Sequence, residues 1–179
     1  MISPNSKFEP GPLRPVSQEQ TDDGWVLTFT EDFPQACPEV WDALTKADEL
    51  AEWAPYVPDR DLDTPGQARL IMNGDSERTS YDGEVLTVER SRRLHHRFGD
   101  DLLRWELVER AGGTRLILRH TISDAEMRFM VTAGWHICLV VLGRLLASDP
   151  IGPIVGEDAM AYGFEELRTG YEVRLTGGP

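Results

Sequence analysis

Only two cysteines occur in the 179-residue chain, Cys37 and Cys138. They lie far apart and form no CxxC pair, so no disulfide framework can be read from them, and both suit a reducing compartment. Positive charge is scarce as well. Against 31 Asp and Glu stand 18 Lys and Arg, a formal net charge of -13. A surface of that sign repels phosphate backbones and anionic lipid, which makes nucleic acid and membranes poor partners. No GxSxG elbow is present, so the commonest serine-hydrolase signature is missing. No internal repeat or interdomain linker appears. The stretch "MISPNSKFEPGPLRPVSQEQ" has no apolar signal core, and a cytoplasmic protein is the expectation. The longest apolar stretch, "AGWHICLVVLGRLLA" (Ala133 to Ala147), is interrupted by Gly143 and Arg144 and reads as too short to span a bilayer.

What is there reads as one domain from residue 21 onward, preceded by a loose proline-rich arm over residues 1–20, tacked down through Phe8 or Leu13. "GWVLTFTEDF" alternates Trp25, Leu27 and Phe29 against more polar neighbours and predicts a strand. "CPEVWDALTKADELAEW" predicts two short helices. Pro38 suits a first helical position, Val40, Trp41 and Leu44 share a face, and Asp48 caps the second helix, which ends near Trp53. "APYVPDRDLDTPG" reads as a long loop.

From Gln67 to Ser123 the pattern has period two throughout, with Gly83 marking a bulge and Gly112-Gly113 a hairpin turn. No crossover helix intervenes, so an antiparallel meander is expected. A two-residue Gly112-Gly113 turn sets Glu106 opposite Arg119, Trp105 opposite His120, Leu107 opposite Leu118 and Leu103 opposite Ile122. It also sets Arg110 opposite Arg115, which is unfavourable. Leu103, Trp105, Leu107, Leu116, Leu118 and His120 then share the inner face. After Asp124 the period changes to that of a helix, with Trp135, Cys138, Leu139, Leu142 and Leu146 in one stripe. "DAMAYGFEELRTGYEVRL" predicts a last helix with Met160, Phe164, Leu167 and Tyr171 on one side.

In its segments "PEVWDALTKADELAEW", "GEVLTVERSRRLHHRFGDD", "LRWELVERAGGTRLILRHTIS" and "AGWHICLVVLGRLL" the chain resembles the START-like (SRPBCC) superfamily. Within it, the likeness is to the branch named after the activator of the heat-shock-protein-90 ATPase. The resemblance implies an α+β helix-grip fold, a curved antiparallel sheet wrapped around a long helix, with a cavity between them. It also implies a small apolar or amphipathic molecule as partner and no cofactor. Some relatives are cyclases or dehydratases.

The candidate cavity residues are Trp105, His120, Trp135, Cys138 and Leu139, then Trp53, Met72, His96, Phe98 and Leu142. For each apolar one, core packing is the plain alternative. His120 is the candidate acid or base, or a core histidine satisfied by a neighbouring polar group. His95 and His96 point to opposite faces and cannot chelate together. His96, His120 and Cys138 have no metal-ligand spacing, so no metal is expected. His136 falls on the helix flank, near the sheet edge or solvent. Cys138, mid-helix on an apolar face, is expected to be inert. Residues 54–65 and 148–157 are candidates for the cavity rim. "GDD" and "DRDLD" lack the full calcium-loop pattern and read as solvated acidic turns. Three functions remain open: a ligand-binding protein, an enzyme using His120, and a chaperone-associated or regulatory module. An edge strand or the last helix offers a route to a homodimer.

Overall fold

Strict alternation of apolar and polar residues builds the main sheet. The computed structural model describes residues 8–177. The strands are β1 (Val16–Thr21), β2 (Gly24–Phe33), β6 (Val85–Glu89), β7 (Arg93–Phe98), β8 (Asp101–Arg110) and β9 (Gly113–Ile122), and they form one antiparallel sheet in the order β1-β2-β9-β8-β7-β6. Along β9 every second side chain is buried: Thr114, Leu116, Leu118, His120 and Ile122. Between the first two and the last four strands come the helices α1 (Cys37–Thr45) and α2 (Ala47–Leu50). A second sheet of three short strands follows: β3 (Tyr56–Pro58), β4 (Arg69–Met72) and β5 (Ser80–Asp82). After β9 come a 3-10 turn over Ala125–Met127, the long helix α3 (Arg128–Leu146), α4 (Glu157–Met160) and α5 (Phe164–Thr176). This is the expected sheet-and-gripped-helix arrangement.

Helix α3 is largely buried through its middle, from Thr132 to Leu142 except half-buried Gly134 and Val140, because the sheet and α1 take one flank and α5 the other. With the preceding turn it is the one helix among the described residues long and apolar enough to cross a membrane by length and composition, and half of that window is buried. It therefore starts earlier than the apolar stretch alone suggests; its apolar sides are occupied by the protein's own sheet and last helix. At the centre Trp53, Trp105 and Trp135 meet edge to face, with ring centroids 6.1 and 5.4 Å apart.

Several expectations are corrected. The β8–β9 turn is Ala111-Gly112, with Arg110 paired to Gly113. Gly113 is held in the ladder because a Cβ there would lie 2.0 Å from the Phe33 carbonyl oxygen, a close approach only glycine permits. The register thus moves by two residues. Glu106 faces Ile117, Trp105 faces Leu118, Leu107 faces Leu116 and Leu103 faces His120. A two-residue shift leaves each side chain on its expected face. It also removes the Arg110–Arg115 clash: Arg115 lies opposite Val108 and forms a bidentate pair with Asp32 at 2.7 and 2.8 Å. At Gly83 the chain does not bulge within one strand but changes sheets, from β5 to β6. A Cβ on Gly83 would sit 2.6 Å from the Leu70 side chain.

The loose arm is not loose where it is described. Phe8 is buried against Tyr162, Leu13 packs on Gly170, and residues 16–21 form the edge strand β1; residues 1–7 lie outside the described residues. Helix α2 begins after Lys46 rather than Asp48, and the Asp61 carboxylate accepts its first free N–H, from Ala47, at 2.9 Å. The last helix is two, broken at Gly163 in the left-handed region (φ 83°); Leu167 and Tyr171 are buried as expected, whereas Met160 is exposed.

Candidate functional site

Beside the tryptophan cluster a cavity of about 800 Å³ opens between α3, the small sheet and the segment leading into α4. Its helix wall is Val131, Gly134, Trp135 and Cys138, which steps of three and four residues place on one face. Opposite lie Met72 of β4, Tyr81 of β5 and Phe98 of β7. The third side is Ile154, Val155, Ala159 and Phe164. Exposed Tyr81, Met130 and Met160 stand at the mouth. Gly134 meets the space without a side chain: a Cβ built there meets nothing within 4 Å. A glycine inside a helix costs about 1 kcal/mol relative to alanine, and here it keeps the cavity floor clear.

His120 reaches the cavity wall from β9. Both its nitrogens are engaged. The Trp135 indole, which can only donate, gives its N–H to Nδ1 at 2.8 Å, so Nδ1 carries no proton. Nε2 is then the N–H and donates to Asp101 Oδ2 at 2.8 Å. The other Asp101 oxygen accepts from the backbone N–H and the hydroxyl of Ser123 at 2.9 and 2.8 Å. Burial pushes the Asp101 carboxyl up, but the hydrogen bonds from His120 and Ser123 outweigh it and hold the group below the usual carboxylate range. The chain Ser123–Asp101–His120–Trp135 therefore ties sheet to gripped helix with a neutral imidazole of fixed tautomer. For His120 to act as a general base, the Trp135 hydrogen bond must first break.

His96 lies deeper. Its Nδ1 donates to the Arg97 carbonyl at 2.9 Å; its Nε2 accepts from the Trp105 indole at 3.2 Å and faces the Tyr56 hydroxyl at 3.3 Å. Complete burial pushes its pKa down to about 4. Burial also pushes the Cys138 thiol up to about 12 and the Tyr56 phenol upward. Cys138 thus touches the cavity as an inert, small apolar group.

Among the sequence candidates, Met72, Phe98, His120, Trp135 and Cys138 come together on the cavity. Trp53, His96 and Trp105 are buried in the core behind it, with the Trp53 indole donating to the Ala43 carbonyl at 2.9 Å. Leu139 and Leu142 are buried but do not line it. Of the two expected rims, 148–157 contributes Ile154, Val155, Gly156 and Glu157, while 54–65 contributes Pro55 alone. The latter is not an open loop: Tyr56 turns inward on β3 to meet His96. Asp59 and Asp61 cap backbone N–H groups, so "DRDLD" is structural rather than merely solvated, and in "GDD" Asp101 holds His120.

His136 is a further correction. It is buried, accepts at Nδ1 from the Tyr171 hydroxyl at 2.6 Å and donates from Nε2 to the Pro10 carbonyl at 2.7 Å. The Tyr171 oxygen accepts in turn from the Arg14 N–H at 2.9 Å. This relay fastens the N-terminal segment and α5 to α3, on the side away from the cavity residues. Among the described residues no group of three His, Cys, Asp or Glu side chains is arranged to hold a metal ion.

Tyr56, Asp101 and Gly134 are not among the sequence candidates, nor is the β4–β5 turn. There Asp75 accepts N–H groups from Glu77 at 2.9 Å and Thr79 at 3.0 Å. Hydrogen bonds from Thr79 and Glu77 hold its carboxyl below the ordinary range.

The family described as "Activator of Hsp90 ATPase homolog 1-like protein" matches residues 36–147. Among solved structures, CalU16 from Micromonospora echinospora is 21% identical with a TM-score of 0.65, over 89% of this chain and 95% of that one. A conserved protein of unknown function from Enterococcus faecalis, EF2215, is 16% identical with a TM-score of 0.72, over 92% of each chain. DynU16, a protein in the dynemicin biosynthetic locus, is 23% identical with a TM-score of 0.61, over 74% of this chain and 50% of that one. At these identities the likeness is one of fold. No curated protein matches the chain.

Proposed function

The chain belongs to the Activator of Hsp90 ATPase homolog 1-like family, and from that premise we propose that it is a cytoplasmic, non-catalytic protein holding a small apolar or amphipathic molecule between sheet and gripped helix. The observation that carries the reading is the cavity of about 800 Å³ walled by Phe98, Trp135 and Val131, with Gly134 left open at its floor. That size and lining suit a drug-sized apolar ligand. The tryptophan cluster fills the deepest part of the interior, so the ligand occupies the outer half, against Trp135 rather than Trp105. The free thiols Cys37 and Cys138 accord with a reducing compartment.

The enzyme alternative is weaker because His120, its one candidate base, spends both nitrogens on Trp135 and Asp101. A chaperone-partner module needs an apolar patch apart from the cavity. Of the exposed large hydrophobic residues among the described ones, Tyr81, Met130 and Met160 stand at its mouth, while Leu86, Val108, Met127 and Val173 are divided among β6, β8, the 3-10 turn and α5.

The test is a Gly134→Phe variant with the neutral dye N-phenyl-1-naphthylamine. Saturable fluorescence enhancement with the wild type, weakened at least about tenfold in a variant that melts no lower, is the expected result. Absence of saturable binding, or binding unchanged by the filled floor, would overturn the reading.

A further inference from the structure

Every charged side chain on the cavity lining carries the same sign. Asp75 stands on the β4–β5 turn and Glu157 and Asp158 at the start of α4, two segments that adjoin where a Cβ on Gly74 would lie 3.0 Å from the Val155 side chain; no Lys or Arg lines the space. His120, the remaining titratable nitrogen group there, is held as the neutral tautomer by Trp135 and Asp101. Glu77 and Arg78 share the Asp75 turn and offset one another. The acids do not make the site; the cavity does, and they set the charge of what it admits. Asp75 is fixed in place by the N–H groups of Glu77 and Thr79. Tyr81, Phe98 and Trp135 line the same space, and aromatic rings attract cations. The protein's net charge of -13 adds a field of the same preference.

Resting on the cavity reading above, we infer that the ligand is a cationic amphiphile: an apolar or aromatic body seated against Trp135 and Phe98, with an amine or other positive group at the mouth beside Asp75, Glu157 and Asp158. An anionic amphiphile, such as a fatty acid, meets carboxylates at the same place and is excluded.

Three probes sharing one ring test this by calorimetric titration at low salt: 1-naphthylmethylamine, 1-naphthylmethanol and 1-naphthoate. The amine is expected to bind at least about tenfold more tightly than the carboxylate, with the alcohol between, and the preference should shrink at high salt. Glu157→Gln with Asp158→Asn, and separately Asp75→Asn, should each reduce the amine's advantage while leaving the alcohol's affinity unchanged. Neutralising Glu109, exposed at the end of β8 away from Asp101 and His120, should leave the preference nearly unchanged. Equal binding of amine and alcohol, or a preference that survives loss of all three carboxylates, refutes the charge selection while leaving the cavity reading standing. Failure of every probe to bind refutes the cavity reading and this inference with it.

Discussion

Acid should destabilise this protein through His96, between about pH 6.5 and 4. The ring is fully buried, and burial lowers its pKa from 6.5 to about 4. The unfolded chain therefore takes up a proton that the folded one refuses. For a depressed pKa the stabilisation is complete above the unfolded value and is lost as pH falls through the folded one. The full shift corresponds to about 3 kcal/mol, and the part lost between pH 7 and 5 to about 2 kcal/mol. His136, also lowered by burial, acts in the same direction. Relief of the excess negative charge acts in the opposite one. Wild type must therefore be compared with His96→Gln, which keeps a donor for Arg97 and an acceptor for Trp105 but does not titrate. In urea titrations the wild type should lead the variant at pH 7, and that lead should shrink by about 2 kcal/mol at pH 5. Parallel stability profiles across this range would show that His96 is not buried and neutral as described.

Gly134→Ala should raise stability by about 0.5–1 kcal/mol, read as a higher melting temperature, because the new methyl meets no neighbour and the helix gains propensity. Trp135→Phe keeps a ring but strips His120 Nδ1 of its donor, and should cost about 1–3 kcal/mol in denaturant titration. Tyr171→Phe removes the group joining Arg14 to His136 and should cost about 2 kcal/mol, with faster amide exchange along residues 8–15 as its local signature. Gly83→Ala forces a methyl against Leu70 where the chain changes sheets, and should cost about 1–3 kcal/mol by thermal melting.

The faces of β8 and β9 were legible in the sequence because alternation survives any two-residue slip: His120 and Trp105 point inward in either register. Their partners were not. With the turn placed on Gly112-Gly113, Asp101 falls beyond His120's reach. With the turn at Ala111-Gly112, Asp101 stands opposite Ile122 and diagonal to His120, and the ion-dipole chain to Trp135 becomes possible. The signal lay in the Arg110–Arg115 conflict, which the shorter register removes. The 100° offset of His136 from Trp135 points to solvent only for a helix with one packing surface, whereas α3 has two. The second, α5, presents Tyr171 to it. Tyr56 is hidden in the sequence by three prolines that read as a loop, although Pro58 merely ends an edge strand. Gly134 left a readable trace: a glycine in an otherwise apolar helix, one residue from a tryptophan, has a cost that open space explains. The grouping of Asp75 with Glu157 and Asp158 has no signature in the sequence, since the β4–β5 turn and the start of α4 meet only in three dimensions.

The methionine methyls give the most direct test of the central claim, because Met72, Met130 and Met160 all line the cavity. With methyl-labelled methionine, a saturating titration of N-phenyl-1-naphthylamine should shift these three resonances together along one binding curve. Shifts at those methyls that follow a single curve and vanish in Gly134→Phe are the predicted result. Unmoved resonances at saturating dye, or shifts that persist in the filled variant, would contradict the account.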